Sequence, residues 1–449
     1  MSLSRRHFLA GLATAPLAMS TKLKANPNPV RVLIIGAGIA GLAAARALTD
    51  QGIKVTILEG RERIGGRIHT SPIWPNLPMD LGASWIHGQK QNPITQLANA
   101  AQAKRVATDY DSSKLYIDTR LKQLGVQSAN EAAIERLVTT ALNQAAHLDH
   151  DISVQAAVNR LLTEPLTPAY QAQLNFYLNS QYEQEYSGAA HALSAQTVED
   201  NEEFSGADVL FPQGYQQIPN YLAQDLDIQL GKVVAKITYT ETAVTVTTQD
   251  QSYQADYAII TVPLGVLKRK AIQFQPSLPA AKQVAIQRLG MGLLNKAYLK
   301  FDKVFWPKEI DWLEYLSPEA GRWVEWVSFA KIGAPVLLGF HAADRARELE
   351  SWSDQALIAE AMQALKAMFG NAIPQPVGAQ ITRWAQDPFA YGSYSFNAVG
   401  STNRDRQILA RKLGGLYWAG EATHSEYPGT VHGAYLSGIR AAKQLLKVL

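Results

Sequence analysis

The stretch that decides the fold is VRVLIIGAGIAGLAAARAL, residues 30–48. Its first six residues form an apolar run typical of a buried strand, and the residues from Leu42 have the apolar spacing of a helix. Between them stands GAGIAG, the G-x-G-x-x-G pattern in its strand-turn-helix setting. Gly36 allows the tight turn, Gly38 lets a pyrophosphate approach the backbone, and Gly41 lets helix and strand pack closely. The arrangement predicts a nucleotide-binding unit.

A second predicted strand supplies an acidic residue at the distance that a dinucleotide requires. The strand covers residues 54–58 and is followed by Glu59, 18 residues after Gly41. A carboxylate at this place accepts hydrogen bonds from a ribose diol. The strand, the helix and the acid together favour a nucleotide over a turn that serves packing alone.

The segment RERIGGR, residues 61–67, follows directly and favours FAD over NAD. Its paired glycines bring the backbone close to the second half of a long cofactor, and Arg67 adds positive charge near the phosphates or the flavin. The candidate cofactor-binding residues of this segment are Arg61, Gly66 and Arg67.

The glycine-rich turn, the acid and the G-G-R sequence together resemble the flavin-containing amine oxidase family. The segment DLGASWIHG, residues 80–88, extends the resemblance, which is strongest to the polyamine oxidase branch. It covers most of the chain from about residue 30 to 449 and is weakest between about 105 and 205. The family pattern implies an FAD-dependent oxidation of an amine.

The resemblance also implies the architecture. We expect an α/β fold in which a Rossmann-type FAD-binding domain is interleaved with a mixed α+β substrate domain, as in amine oxidases and glutathione-reductase-like flavoproteins. Residues 30–105, 206–290 and 380–449 are assigned to the FAD-binding domain, and residues 106–205 and 291–379 to the substrate-binding domain. Further cofactor contacts carried over from the family are Gly82, Ala83, Ser84, Trp85, Val234, Trp384, Gly420, Glu421, Thr430 and Val431. The residues around Val234 alone fit a plain β-meander equally well.

Several elements of the second domain are predicted from periodicity. Residues 129–147 and 167–186 are expected to be helices, with Asn130 and Thr167 as N-caps. Residues 293–301 are expected to form a strand, and residues 354–369 a helix.

The C-terminal segment GEATHSEYPGTVHGAYLSGIRAA, residues 420–442, is predicted to be a loop that enters a helix. The start of a helix offers free N–H groups and a partial positive charge, which suit an electron-rich ligand atom. In the family, the helix that begins here at Thr430 points at the pyrimidine edge of the flavin. Both ends of the chain are therefore expected to meet at one ligand.

Lys296 lies in MGLLNKAYL, residues 291–299, a run so apolar that an ammonium group is unexpected there unless it has a function. Burial lowers the pKa of a lysine, and a poised amine can hold a water beside the reactive flavin nitrogen. The family has a lysine in this motif, so Lys296 is the first catalytic candidate. The alternative is a lysine at a strand edge with its ammonium in water.

Oxidation of an amine requires a neutral nitrogen, which a water-poor aromatic pocket favours. By resemblance, Trp384 and Tyr394 form the aromatic cage in front of the flavin, and His87 matches a histidine that contacts the substrate. Several relatives have a second aromatic residue where this chain has Thr430, so the cage is either incomplete or completed by Tyr427. The acidic run at residues 199–203 is either a solvated loop or, through Glu202 and Glu203, a site for distant ammonium groups. The catalytic candidates are thus Lys296, Tyr394, His87 and Trp384, and the substrate candidates are His87, Tyr394, Tyr427, Thr430, Glu202 and Glu203.

FAD is expected to be bound without a covalent cysteinyl link. Monoamine oxidases carry the linking cysteine where this sequence has Ser393, and the chain contains no cysteine. His424 and His432 have no partners at metal-ligand spacing, so no metal site is predicted.

Length and charge narrow the class of protein. The 449 residues exceed a single-core domain, so two domains are expected. Four of the 42 basic residues lie in the first 25 positions, which leaves 38 against 39 acidic residues in the rest. The main body therefore has no general bias towards nucleic acid or membranes, and no apolar run reaches the roughly 18 residues of a membrane span.

The N-terminal sequence MSLSRRHFLAGLATAPLAMS resembles a twin-arginine export signal, which moves folded proteins. The alternative is a basic tail. The signal, assigned to residues 1–25, predicts contact with the twin-arginine export machinery and a periplasmic or secreted bacterial enzyme. Export after folding suits a protein that must acquire FAD in the cytoplasm.

The expected reaction is oxidation of a spermine- or spermidine-class polyamine to an aldehyde and a shorter amine, with oxygen as acceptor and hydrogen peroxide as product. The alternatives are a flavin oxidase or dehydrogenase of monoamines, alkaloid amines or L-amino acids, and a flavoprotein that binds polyamines without turnover. An amino-acid oxidase needs an arginine fork, for which Arg383 and Arg322 are the candidates. The sequence carries no signal for an oligomeric state.

Overall fold

The computed structural model describes residues 30–449, so the predicted twin-arginine segment, residues 1–25, lies outside the described residues. The strands, in chain order, are β1 Arg31–Ile35, β2 Lys54–Leu58, β3 Thr70–Ser71, β4 Met79–Asp80, β5 Trp85–Ile86, β6 Val106–Thr108, β7 Ser113–Ile117, β8 Asp208–Leu210, β9 Asp227–Gln229, β10 Val234–Tyr239, β11 Val244–Thr248, β12 Ser252–Ala255, β13 Tyr257–Ile260, β14 Gln273–Gln275, β15 Gly290–Met291, β16 Leu294–Lys300, β17 Trp312–Leu316, β18 Glu325–Ser328, β19 Val336–Ala342, β20 Gly378–Ile381, β21 Ser395–Phe396 and β22 Leu416–Trp418.

The helices lie between these strands and at the C-terminal end. Short 3-10 turns cover Ala330–Ile332 and Glu421–Thr423, and a π-helical turn covers Asn179–Glu183. The α-helices are α1 Ile39–Thr49, α2 Pro93–Ala100, α3 Thr119–Gln123, α4 Glu131–Ala145, α5 Val154–Asn159, α6 Pro168–Leu178, α7 Gln184–Tyr186, α8 Gln217–Ala223, α9 Leu264–Lys268, α10 Ala280–Arg288, α11 Ala343–Leu349, α12 Asp354–Phe369, α13 Asn403–Ala410 and α14 Val431–Leu446.

A five-stranded parallel sheet in the order β22-β13-β1-β2-β9 forms the centre of the nucleotide-binding part. Alternate residues of β1 enter two different cores: Val32 and Ile34 pack on one side, and Leu33 and Ile35 on the other. Burial of both faces explains the unbroken apolar run in the sequence.

The first and the last helix of the described chain pack directly against each other beside this sheet. A Cβ atom at Gly438 of α14 would lie 2.1 Å from the carbonyl oxygen of Ala40 in α1, so the close crossing requires a glycine. The contact fixes the C-terminal helix next to the glycine-rich turn that precedes α1.

A six-stranded mixed sheet in the order β20-β16-β19-β18-β17-β7 forms the second layer. β17 and β7 are parallel, and the other neighbours are antiparallel. Trp323 and Trp326 are fully buried on one face of this sheet, stacked with their ring centroids 4.8 Å apart. A helical core formed by α4, α5 and α6 adjoins it.

The two sheets draw on alternating parts of the chain, which confirms the predicted interleaved α/β fold. The exact domain boundaries remain a prediction. Strand β20, which crosses the predicted boundary between residues 379 and 380, pairs along its whole length with β16 of the second sheet.

Two local predictions need correction. Asn130 precedes α4 but has a left-handed backbone (φ 50°), and its side chain makes no capping hydrogen bond. Residues 167–186 do not form one α-helix, because a π-helical turn separates α6 from α7. Thr167 does cap α6, since its hydroxyl accepts a hydrogen bond from the N–H of Tyr170 at 3.2 Å.

Candidate active site

A cavity of about 1460 Å³ lies among the N-terminal ends of α1 and α14, the loop that follows β4 and the second sheet. Small-molecule cavities usually measure about 300–1,000 Å³, so this one has room for a dinucleotide and a further ligand. Every cofactor, catalytic and substrate residue predicted from the sequence lines its wall except Gly41 and the two candidates for an arginine fork, Arg322 and Arg383. Their individual roles towards cofactor and substrate remain predictions.

The glycine-rich turn leaves the backbone open towards the cavity. A Cβ atom at Gly38 would meet nothing within 4 Å, whereas one at Gly41 would lie 2.0 Å from the carbonyl oxygen of Gly36. Gly38 therefore leaves room for a ligand, and Gly41 lets the turn pack against α1. No side chain caps α1, and its first residues, Ile39 and Ala40, line the cavity. Their backbone N–H groups suit a phosphate.

Glu59 is buried at the end of β2 and organises the same turn. One carboxylate oxygen accepts from the N–H of Ala37 at 2.7 Å, and the other accepts from the N–H of Arg61 at 2.9 Å. The guanidinium of Arg61 makes two hydrogen bonds, of 2.8 and 2.7 Å, to Asp387. Asp387 was not predicted from the sequence, because no motif marks it.

A buried charge network links the N-terminal and C-terminal parts of the cavity wall. Arg67 donates to Glu421 at 2.9 Å and to the carbonyl of Ser393 at 2.8 Å. The second oxygen of Glu421 accepts from the Ser395 hydroxyl at 2.5 Å and from the N–H of Gly429 at 3.0 Å. Burial opposes the ionisation of Glu421, but the charge of Arg67 and these hydrogen bonds hold its pKa below the usual range.

Lys296 extends from β16 and is buried against the loop that follows β4. Its ammonium donates to the carbonyls of Asp80 at 3.0 Å and Gly82 at 2.6 Å, and to the hydroxyl of Ser84 at 2.5 Å. All three N–H bonds thus have protein acceptors, so the predicted water contact would have to replace one of them. Burial lowers the pKa of Lys296 to about 7, against the opposing charge of Asp80.

Two tryptophans flank this lysine. The ring of Trp85 lies with its centroid 5.5 Å from the ammonium of Lys296. Trp384 donates from its ring nitrogen to the carbonyl of Leu81 at 3.1 Å. A Cβ atom at Gly82 would lie 1.7 Å from the carbonyl of Arg67, so this position is limited to glycine. Ala83 and Val234 complete this part of the wall.

The start of α14 is formed by the residues that the sequence assigned to the flavin and the cage. Thr430 is the N-cap, and its hydroxyl accepts from the N–H of Gly433 at 2.9 Å. Tyr427 stacks on Phe204 with centroids 4.9 Å apart. The hydroxyl of Tyr394 donates to the carbonyl of Gln184 at 2.6 Å, which fixes its ring on the cavity wall.

His87 lies on the cavity wall next to an acidic residue that sequence reasoning missed. Its Nδ1 is 2.8 Å from a carboxylate oxygen of Asp208, which also lines the cavity. The two residues are 121 positions apart, and only the pairing of β5 with β8 brings them together.

Other acidic side chains of the cavity were also missed. Glu202 and Glu203 were predicted, and both line the wall. Glu199 lies in the acidic run at residues 199–203, whereas the rest lie in segments without a motif, where a half-buried glutamate in an amphipathic strand has no distinctive signal. We call the full set the acidic wall; it consists of Asp111, Glu131, Glu135, Glu185, Glu199, Glu202, Glu203, Asp208, Glu314 and Glu325.

The residues present fit FAD. The open glycine turn, the uncapped start of α1 and the buried acid at residue 59 suit the adenosine and pyrophosphate half, and the start of α14 suits the electron-rich edge of a flavin. Within residues 30–449, no group of three or more histidine, cysteine or acidic side chains has the geometry of a metal site. None of the helices in that range is both long and apolar enough to cross a membrane.

Comparisons with known proteins agree with this geometry. The profile of the family described as flavin containing amine oxidoreductase matches residues 39–446. Polyamine oxidase 4 of Oryza sativa subsp. japonica is 35% identical, over 97% of this chain and 92% of the relative. Lysine-specific histone demethylase 1 homolog 1 of Arabidopsis thaliana is 34% identical, over 98% of this chain but 55% of the relative.

A solved structure of putrescine oxidase bound to putrescine has the same fold, with a TM-score of 0.76 over 94% of this chain and 99% of that chain, at 18% identity. The predicted family is thus confirmed by an extended match in sequence as well as in fold. The chain belongs to the flavin containing amine oxidoreductase family and is a flavin-dependent amine oxidoreductase.

Proposed function

We propose that this enzyme oxidises a polyamine of the spermine or spermidine class to an aldehyde and a shorter amine, with release of hydrogen peroxide. Bound FAD would supply the acceptor for the hydride on the carbon next to the nitrogen, water would hydrolyse the resulting imine to the aldehyde and the shorter amine, and oxygen would take up the electrons. The chain's own residues bind and orient the amine and exclude water from it.

The acidic wall is the observation that carries the proposal. It is formed by residues 111–208 together with Glu314 and Glu325. Among the cavity-lining residues of segments 110–208 and 312–340, all of which are described, there is no lysine, arginine or histidine. Apart from His87, which pairs with Asp208, the described residues give this wall no salt-bridge partner, and a substrate with several ammonium groups would provide the missing counter-charges.

Glu314 and Glu325 show the need for a cation most clearly. They stand directly opposite each other in the β17–β18 pair, where like charges are destabilising. Burial, together with the charges of Glu314 and Glu185, raises the pKa of Glu325 to about 8. An ammonium group placed between these carboxylates would relieve their repulsion.

An aromatic stack stands beside the acidic wall. Tyr110 packs on Trp312 with centroids 4.5 Å apart, and Trp312 lies 6.0 Å from Trp85 and 6.3 Å from Phe340. All four rings line the cavity. Such faces suit the methylene chain of a polyamine and attract its ammonium groups.

Neither arginine that was considered for binding the substrate carboxylate of an amino-acid oxidase is in a position to do so. Arg383 pairs with Asp354 at 2.7 Å, and Arg322 pairs with Glu360 at 2.9 Å. Neither arginine lines the cavity. A substrate carboxylate would also meet repulsion from the acidic wall.

A turnover screen with peroxide detection tests the proposal. Spermine, spermidine, putrescine, benzylamine, leucine and a peptide containing dimethyl-lysine are compared at equal concentration. We expect the highest kcat/KM with spermine or spermidine. Turnover of leucine, benzylamine or the peptide alone would contradict the proposal. Rates with and without oxygen, in the presence of a dye acceptor, separate an oxidase from a dehydrogenase.

Paired substitutions connect the substrate preference to the acidic wall. In a Glu185→Gln/Glu325→Gln double variant, we expect KM for the preferred polyamine to rise about tenfold or more, since each lost charge contact contributes roughly 1 kcal/mol or more. KM for benzylamine should change little. The matched control is Glu309→Gln, which removes an exposed acid that does not line the cavity.

We also propose that FAD is held without a covalent bond. The chain has no cysteine, and the Ser393 hydroxyl is engaged with the backbone of Leu294, donating to its carbonyl at 2.8 Å and accepting from its N–H at 2.9 Å. Acid precipitation of the holoenzyme should release all flavin into the supernatant. Flavin that stays with the pellet would contradict this part of the proposal.

Export by the twin-arginine route to the periplasm is a further proposal, supported by the N-terminal sequence SRRHFLAG. Expression of the full chain in a bacterium, followed by fractionation, should place activity outside the cytoplasm. An Arg5→Lys/Arg6→Lys variant should remain inside. Export that is unaffected by this change would remove the twin-arginine assignment.

A further inference from the structure

Four cavity residues of the second sheet stand in one row across neighbouring strands. Lys296 on β16 is opposite Phe340 on β19, and Glu325 on β18 is opposite Glu314 on β17. The register of β18 with β19, continued by one residue, brings Glu325 opposite Phe340. Residues opposite each other in neighbouring strands project from the same face, and all four line the cavity. The predicted catalytic lysine and an acidic pair thus occupy the two ends of one row.

The surface between the two ends of this row is apolar. Phe340 stands between the lysine and the acids, with its ring centroid 6.3 Å from those of both Trp85 and Trp312. The neighbouring row on the same face, two residues along each strand, is buried and consists of Tyr298, Leu338, Val327 and Trp312. Such a surface suits methylene groups, whereas the carboxylates at its far end suit an ammonium group.

The two carboxylates have no cationic partner among residues 30–449. Nothing in that range hydrogen-bonds the Glu325 side chain, which is enclosed in the cavity. The charged groups that act on the pair are acidic as well, namely Glu131 from the first turn of α4 on Glu314 and Glu185 from α7 on Glu325. Burial and the charge of Glu131 raise the pKa of Glu314. The pair therefore lacks a positive charge that a bound ammonium group would supply.

The row also fixes how far the acidic pair lies from Lys296. Neighbouring strands are about 4.8 Å apart, so the two strand steps to Glu325 measure about 10 Å and the three steps to Glu314 about 14 Å. An extended chain of C–C and C–N bonds advances by roughly 1.25 Å per bond, so nitrogens separated by nine bonds lie about 11 Å apart. This length falls between the two strand distances.

The same length occurs in the longer polyamines. Nine bonds, or roughly 11 Å, separate the two terminal nitrogens of spermidine, and they also separate an inner nitrogen of spermine from its more distant end. The two nitrogens of putrescine are separated by five bonds, or roughly 6 Å, so putrescine is too short to reach from the Lys296 end of the row to Glu325. The row therefore distinguishes amines by the position of a second ammonium group.

We infer that Glu314 and Glu325 form a remote ammonium subsite that selects substrates by length. With the reacting nitrogen at the Lys296 end, the pair binds the ammonium group about nine bonds away, and the methylene groups between the two nitrogens lie over Phe340. A shorter diamine leaves the pair without a cation, and a monoamine of the same length covers the pair without neutralising it. The subsite deepens the proposed function and rests on it for the class of substrate.

The test compares a diamine with a monoamine of the same chain length in the holoenzyme, so that only the second ammonium group differs. The long pair is 1,8-diaminooctane and octylamine, and the short pair is putrescine and butylamine. Inhibition constants are measured against the fastest amine of the screen at about pH 9, where Glu325 with its pKa of about 8 is ionised. We expect the long diamine to bind at least about tenfold more tightly than octylamine, and the short pair to differ by less than about threefold.

The double variant Glu314→Gln/Glu325→Gln removes both charges and keeps the shape of the side chains. The long pair should then lose its difference and behave like the short pair. The variant should fold, because it removes two like charges that stand opposite each other. The matched control is Glu202→Gln/Glu203→Gln, which removes two acids of the acidic wall outside the row. It should leave the difference within the long pair nearly unchanged, whatever its effect on turnover.

Thermal unfolding supplies a readout other than activity. At equal concentration, 1,8-diaminooctane should raise the unfolding temperature of the unmodified enzyme more than octylamine does, and the two amines should act equally on Glu314→Gln/Glu325→Gln. A long pair that differs no more than the short pair, an unchanged difference in this variant, or an equal loss in both double variants would overturn the subsite. Turnover of leucine or benzylamine alone would contradict the proposed substrate, and competition with that amine would still test the subsite.

Discussion

Within residues 30–449, two lysines are buried and each donates to three oxygen atoms, but of these two Lys296 alone lines the cavity. Lys296 donates to the loop after β4, whereas Lys282 donates to the carbonyls of Ile408, Leu409 and Arg411 at the end of α13. The local hydrogen bonding is alike, so the position relative to the cavity distinguishes Lys296, the predicted catalytic lysine, from Lys282, which binds the carbonyls at the end of a helix.

Substitution of each lysine by methionine tests this distinction. Both variants should lose stability, by about 1–3 kcal/mol, because each leaves buried acceptors without a donor. Lys296→Met should also retain FAD and slow flavin reduction or reoxidation by about tenfold or more, whereas Lys282→Met should keep the normal rates. Thermal unfolding and rapid-mixing absorbance measure the two effects. Equal rates for Lys296→Met and the unmodified enzyme would remove this lysine from the mechanism.

The raised pKa of Glu325 predicts how the stability of the protein depends on pH. Its pKa in the folded state, about 8, is raised above the unfolded value mainly by burial. Between about pH 4.3 and 8, the folded protein therefore holds a proton on Glu325 that the unfolded chain has lost. The stability that this proton contributes is fully present below about pH 4.3 and is lost as pH rises through 8. One such proton changes the free energy of unfolding by about 1.4 kcal/mol per pH unit. Between pH 6 and 8, the unfolding temperature of ligand-free Glu325→Gln should fall less steeply than that of the unmodified protein or of Glu309→Gln; parallel curves would contradict the prediction.

Residues that belong to a local motif could be predicted from the sequence, whereas residues that meet only through folding could not. Gly36, Gly38 and Glu59 follow a strand at fixed spacings, and all three line the cavity. Asp208 has no motif around it and becomes informative only when strand pairing places it beside His87. Long-range pairing of this kind leaves no periodic trace in the sequence.

At the scale of elements, the start of α14 is important both for the stability of the helix and for the predicted binding of FAD. Thr430 was predicted as a cofactor and substrate residue, and it caps the helix through its hydroxyl. Thr430→Ala should lower stability by about 1 kcal/mol and weaken FAD retention, because the first turn of the helix would fray. Thr430→Ser keeps the hydroxyl and should restore both properties. Dialysis against flavin-free buffer and thermal unfolding measure them; an equal loss in the alanine and serine variants would show that the cap is not the cause.

The prediction of helices succeeded where the helical spacing of apolar residues continued without interruption. Helix α12 spans Asp354–Phe369, the predicted residues, and its N-cap Ser353 accepts from the N–H of Ala356. The prediction of a single α-helix over residues 167–186 failed because the π-helical turn Asn179–Glu183 differs from an α-helix in its hydrogen-bond spacing, which leaves no local signal in the sequence. That turn leads into α7 and brings Gln184 and Glu185 to the cavity wall.

At the scale of the whole molecule, the site depends on the contact between the first and last helices of the described chain. The crossing of α1 and α14 at Gly438 places two helix N-termini on one cavity, and these suit the predicted phosphate and the predicted electron-rich edge of a flavin. Residues 111–208, together with Glu314 and Glu325 of the second sheet, supply the acidic wall from a different part of the chain. Cofactor and substrate surfaces are thus built by separate layers that share a single cavity.

The concentration of negative charge on one wall predicts how the rate depends on salt. Polyamines carry more positive charges than benzylamine, so the acidic wall should attract them more strongly, and salt should screen this attraction. Between about 0.02 and 0.3 M NaCl, kcat/KM for spermine should fall several-fold, whereas kcat/KM for benzylamine should fall much less. Measured at about pH 9, where Glu325 with its pKa of about 8 is ionised, the slope should become shallower in Glu185→Gln/Glu325→Gln and stay unchanged in Glu309→Gln. Equal salt slopes for the two amines would show that the acidic wall does not guide the substrate, even if spermine is turned over.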